Sequence, residues 1–164
     1  MADDAARDEE YRRSLARHST ASGLLITDVA GRALLVRPTY KEGWEFPGGS
    51  VDDGESPWDA AVREVKEELG VTLSASPVLL CADWMRPHDT EVGGFRLIFD
   101  GGVWAPDQLS AIRLPADELS EWRLVEVSDA EAYLPIVRVR RLQAAVSARR
   151  TGRVAYLEDG CLLA

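Results

Sequence analysis

Glu64, Glu67 and Glu68 lie three and four residues apart in a segment, Ser56 to Leu69, that reads as helix. At 100° per residue their carboxylates crowd one arc of roughly 100° on the helix surface. Like charges at this spacing repel by about a few tenths of a kcal/mol per pair, even when exposed. Arg63 and Lys66 are too few and too displaced to neutralise all three. The cluster calls for a cation, and hard oxygen ligands on a rigid helix suit Mg²⁺ or Mn²⁺, which complete their shells with water and phosphate oxygens. Taken alone, REVKEE reads more commonly as an acidic solvated face with Arg63 bridging to Glu67.

What precedes the helix favours the metal reading. Ser56-Pro57-Trp58-Asp59 supplies a capping hydroxyl, a proline at the first helical position and an acid in the first turn, and Gly70 stops the helix. Trp58, Ala61, Val62, Val65 and Leu69 form the apolar arc that must pack on a sheet. Gly48, Gly49 and Gly54 make a loop whose backbone can approach a ligand closely, and it delivers the chain to the positive end of the helix. Glycine loop, helix start and carboxylate face converge on one spot.

The rest of the chain has to hold that spot. Residues 1–18 are charged and read as a flexible or helical arm, and 19–164 as a single domain. SGLLITD and RALLVRP, joined by a turn at Asp28 to Gly31, predict a hairpin, and Trp44-Glu-Phe46 a third short strand closed by Pro47-Gly48-Gly49. After Gly70, VTL, VLLCADW and FRLIFDGGVW read as strands, with MRPHDTEVGG as a loop before the last. LPADELS is a loop leading to the strand EWRLVEV, Ser128 to Glu131 resembles a second capping box, and Leu134 to Arg150 is helical, with Pro135 in its first turn. RVAYLEDG is a last strand or an ordered tail. This order predicts an α+β domain with a mixed sheet.

Composition limits the partners. The 164 residues carry 28 acids against 19 bases, a formal charge of −9, so the overall field repels nucleic-acid polymers. A phosphate substrate needs local cations or bound metal. No apolar run approaches a membrane span and the N-terminus lacks a signal-peptide core, so a cytoplasmic protein without a membrane partner is expected. Cys81 and Cys161 form no disulfide framework and no zinc motif, and both read as reduced core thiols.

These residues resemble a known family. Gly49, five residues, Glu55, seven residues, Arg63-Glu64-Val65, one residue, Glu67-Glu68, one residue and Gly70-Val71 match the complete signature of the Nudix hydrolases, and the preceding WEFPG is similar to their MutT-type branch. The resemblance implies an α/β/α sandwich and Mg²⁺- or Mn²⁺-dependent hydrolysis of a diphosphate bond in a nucleoside triphosphate or another nucleoside diphosphate derivative. It implies Glu64, Glu67 and Glu68 as metal ligands with the Gly48 carbonyl, and Arg63 and Glu55 as residues orienting those carboxylates, with Gly49 supporting the loop. The general base varies in this family. Glu64 or Glu68 can serve, and outside the signature Asp117, Glu118 and Glu121 lie where relatives often place another acid, Glu118 being the choice.

Substrate contacts must come from elsewhere. Arg37, Lys41, Arg86 and Arg96 are candidates for phosphate or sugar, and Trp84, Met85 and Phe95 for stacking on a base. Trp44 and Phe46 are expected to support the glycine loop, and His18 and His88 carry no assignment. Two alternatives stand beside a triphosphate: ADP-ribose or another nucleotide sugar, for which Pro87 is a weak hint, and a non-catalytic nucleotide-binding sensor. The family resemblance also leaves room for a homodimer.

Overall fold

The run Leu24-Leu25-Ile26 is apolar without alternation because its strand is buried on both faces. Leu24, Ile26, Leu34 and Val36 share one hydrophobic cluster with Ala61, Val65 and Leu69. Leu25, Leu35 and Ile98 share another with Val139, Leu142 and Ala145. A central sheet with one main helix on each face follows from this period-two division.

In the computed structural model the chain is described over residues 2–73, 76–88 and 92–163, with side chains from residue 7 onward. The order is α1 (Ala2–Ser14), β1 (Ser19–Asp28), β2 (Ala33–Pro38), β3 (Gly48–Ser50), α2 (Pro57–Leu69), β4 (Leu79–Met85), β5 (Gly94–Trp104), α3 (Pro106–Ser110), β6 (Leu119–Val125), a 3₁₀ turn (Val127–Ala132), α4 (Ile136–Thr151), β7 (Ala155–Glu158) and β8 (Cys161–Leu162). The sheet runs β6-β2-β1-β5-β4-β7-β8, with β3 also paired to β1. β1 with β5 and β4 with β7 are parallel and the other pairs antiparallel, so the sheet is mixed. The expected α+β sandwich is the fold observed. No described helix is long and apolar enough to cross a membrane.

Several local expectations need correction. Trp44 to Phe46 makes a single bridge, Val36 with Glu45, and the paired strand begins only at Gly48. Pro47 has no N–H to donate and contributes its carbonyl to Leu24 N at 2.9 Å instead. VTL (71–73) is not a strand: the left-handed Gly70 cap turns the chain, and Val71 and Leu73 pack beside α2 rather than pairing. Ser128 caps no α-helix, since its Oγ lies 3.2 Å from Asp129 Oδ1 within the 3₁₀ turn, and α4 starts after Pro135. The short helix α3 was not anticipated, and residues 89–91 of the expected loop lie outside the described residues. Cys81 is a buried thiol that burial pushes up to about 12, but Cys161 is exposed rather than in the core.

Candidate active site

Ser56 begins α2 as expected, its Oγ accepting from Asp59 N at 3.1 Å. The loop that leads there is packed directly against the helix. Gly48 sits at φ +140°, and a Cβ there would meet the Ser22 carbonyl oxygen at 2.2 Å. A Cβ on Gly49 would lie 2.3 Å from Glu64 Oε1. At Gly48 only a glycine allows this approach to backbone, and through it Gly48 N donates to Glu68 Oε2 at 2.8 Å.

The three carboxylates of α2 occupy different surroundings. Glu68 is buried, not on a solvated arc, and burial pushes its carboxyl up to about 8; the Gly48 N–H opposes the shift while Glu64, Glu118 and Glu45 add to it. Glu64 is raised in the same way, chiefly by burial, against the pull of Arg63. Glu67 is half exposed. Arg63 ties the group together: Nε and Nη2 reach Glu55 at 2.9 Å each, Nη1 reaches Glu64 at 2.9 Å and Glu67 at 3.0 Å, and Nη2 also donates to the Ser50 carbonyl at 3.1 Å. The Arg63 hydrogen bonds are the main reason the Glu55 carboxyl is held below its ordinary value. Among the described residues no three acids, histidines or cysteines are gathered into a metal cluster. The donor set nevertheless fits a hard divalent cation: buried Glu68 and partly buried Glu64 are mutually repelling carboxylates set against the glycine loop.

Glu64, Glu68, Gly48, Gly49 and Glu118 line one open cavity of about 900 Å³. Glu118 is distinguished from its neighbours there: Glu121 is paired with Arg123 at 2.6 Å, and Asp117 does not line the cavity. The Glu118 carboxylate has no hydrogen-bond partner among the described residues, although its charge is felt by both Glu64 and Glu68. Lys41, Arg86 and Arg96 also line the cavity. Lys41 is held by Glu45 at 2.7 Å, and Arg86 by Glu158 at 3.1 Å and Asp159 at 3.4 Å.

Three candidates are not brought there. Arg37 is exposed on β2 and outside the lining. Trp84 and Phe95 are cross-strand partners whose rings lie 5.1 Å apart, with His18 edge-on to Trp84 at 4.7 Å. Their neighbours Asp83 and Arg96 form the adjacent pair, and Asp83 bonds Arg141 of α4, so by strand alternation Trp84 and Phe95 face away from α4. Their stacking is structural. Trp44 and Phe46 are buried beneath the loop as expected, with Phe46 Cβ against the space beside Gly23.

Tyr40, Glu45, Arg138 and Arg141 line the cavity and escaped the sequence reading. For the arginines a signal existed. Arg138, Arg141, Ala145 and Ala148 fall on one helical stripe, and three of the four are buried.

A NUDIX domain model matches residues 16–144. The chain belongs to the NUDIX family. Within it, the chain is 35% identical over 65 residues to the RNA pyrophosphohydrolase of Pseudomonas aeruginosa. That match covers 39% of this chain and 41% of the relative, so the chain spans less than half the length of the curated relatives it matches. Two solved structures cover nearly all of their own length. The MutT protein of Methanosarcina mazei Go1 is 25% identical over 84% of this chain and 99% of that one, with a TM-score of 0.65. An Ap4A hydrolase of C. elegans is 27% identical over 82% and 98%, with a TM-score of 0.63.

Proposed function

We propose that this NUDIX protein hydrolyses a diphosphate bond in a nucleotide, with a nucleoside triphosphate or a related nucleoside diphosphate derivative as substrate and Mg²⁺ or Mn²⁺ as cofactor. The observation that carries the reading is buried Glu68 and partly buried Glu64 against the Gly48-Gly49 loop, sharing one cavity with an uncommitted Glu118 and with Lys41 and Arg138. The relatives described as RNA pyrophosphohydrolase and Ap4A hydrolase support the bond class.

Glu64, Glu67 and Glu68, with the Gly48 carbonyl, would hold the metal, which when bound supplies a charge clamp on phosphate oxygens and acidifies water. Arg63 orients Glu64 and Glu67 and is itself fixed by Glu55. Lys41 and Arg138, both drawn to Glu45 at 2.7 and 3.2 Å, are placed to meet the substrate's phosphates. Glu118 takes the proton from the attacking water as its oxygen bonds to phosphorus. The bridging P–O bond breaks and the leaving phosphate departs as an anion.

The Glu67→Gln variant tests this reading, because Glu67 is half exposed and its loss leaves packing intact. Turnover in Mg²⁺ should fall at least a hundredfold, on the order of 3 kcal/mol of transition-state stabilisation, with the unfolding midpoint nearly unchanged. Unchanged turnover removes the metal assignment. Nucleotide binding without product, for the wild-type chain, would favour a sensor.

A further inference from the structure

Ser22 Oγ is the one buried side-chain oxygen or nitrogen among the described residues that lacks a hydrogen-bond partner. The residue is 2% exposed and is flanked on both sides, by Leu97 of β5 and Gly49 of β3, so no sheet edge connects it to water. A buried hydroxyl without a partner is costly. Packing gives no reason for one here, since apolar Leu24 and Ile26 fill the next two positions on the same face of β1.

The direction of the side chain follows from strand alternation. Leu24 and Ile26 pack with Ala61 and Val65 of α2, and Ser22, two residues before Leu24, faces the same helix. Directly opposite it is Gly49. The place where a Gly49 side chain would stand is taken by the Glu64 carboxylate: Oε1, Cδ and Oε2 lie 2.3, 2.5 and 2.8 Å from it. Side chains opposed in this way start about 5 Å apart. Hydroxyl and carboxylate are therefore neighbours on one face, and both residues line the cavity.

The two groups have complementary needs. Arg63 Nη1 donates to Glu64 Oε1 at 2.9 Å, while Oε2 accepts no hydrogen bond among the described residues. A carboxylate held at one oxygen can pivot about that contact. Arg63 has no second contact to give, because its other N–H groups are committed to Glu55, Glu67 and the Ser50 carbonyl. Ser22 has a donor to spare, and Oε2 has lone pairs enough to accept it and still ligate a cation. We infer that Ser22 is a positioning residue for Glu64: a turn about its χ1 brings the hydroxyl onto Oε2 and fixes the carboxylate in the orientation that takes the cation. The inference rests on the metal reading above, not on which nucleotide is cleaved.

Mn²⁺ titration of the full chain by calorimetry, beside chemical denaturation of the metal-free protein, tests it on Ser22→Ala. Affinity should fall about tenfold or more, the usual effect of removing a group that orients a metal ligand. The metal-free unfolding midpoint should stay level or rise, because the hydroxyl removed had no partner. A purely structural serine would give the reverse pattern. Ser22→Thr returns the hydroxyl and should return the affinity. Unchanged Mn²⁺ affinity in Ser22→Ala overturns the inference, as does a lowered midpoint in the metal-free variant. So does a folded Ser22→Thr that binds no better than the alanine variant; if the threonine variant fails to fold, the alanine comparison decides alone. The two proposals fail distinguishably: a wild-type chain that binds no Mn²⁺ removes the metal reading and this inference with it, whereas binding lost in Glu67→Gln but intact in Ser22→Ala removes the inference alone.

Discussion

Two ionic clusters flank the sheet and differ in almost every respect. On α2, one half-buried cation, Arg63, serves Glu55, Glu64 and Glu67, and the acids outnumber it. On α4, Arg141 and Asp83 are matched one to one in the interior. The first leaves negative charge unsatisfied and invites a cation; the second cancels charge and closes on itself. An excess of one sign, rather than the number of charged residues, indicates what a region can receive.

The contrast is broken most forcefully at the buried pair. Asp83→Ala strands the Arg141 guanidinium in the interior, and chemical denaturation should show a loss of about 3–5 kcal/mol. A loss below about 1 kcal/mol would mean that water or a moving side chain satisfies Arg141. Next in size is Gly48→Ala, which places a Cβ 2.2 Å from the Ser22 carbonyl at a positive φ. Strain and clash should cost about 1–3 kcal/mol by the same measurement. Gly49→Ala should instead displace Glu64 and weaken turnover more than stability, because the Cβ meets a side chain rather than backbone.

The acidic cluster gives a pH signature. Burial pushes the Glu68 carboxyl up to about 8, so the metal-free protein retains a proton there at pH 7. A metal ion must displace that proton, so affinity for Mn²⁺ should rise with pH from 6.5 through 8 and level off above, as read by calorimetry with proton release in the lower range. Affinity independent of pH across that window would contradict Glu68 as a ligand. The smallest effect is Glu55→Gln, which loosens Arg63 without stranding a buried charge. Stability should barely change while metal affinity falls.

The same comparison explains what could be read from the chain alone. The α2 cluster is local: its residues recur at i, i+3 and i+4, the capping serine and Gly70 bound the helix, and the glycine loop adjoins it, so spacing carried the information. Asp83 and Arg141 are 58 residues apart, and only the packing of α4 on β4 brings them together. Trp84 and Phe95 show the same limit. Aromatic type suggested stacking, but the face they occupy depends on the register of β4 with β5. Likewise, strand-forming composition at VTL is overridden by the Gly70 cap, and Pro47 shifts pairing to Gly48.

The most direct measurement is product analysis by mass after incubating the purified protein in Mg²⁺ with nucleoside triphosphates, oxidised nucleotides, nucleotide sugars and dinucleoside polyphosphates, beside the Glu68→Gln variant. Cleavage of one class at a diphosphate bond by the wild type, lost in the variant and without metal, is the expected result. Metal binding with no product from any class, or equal product from both proteins, would contradict the account.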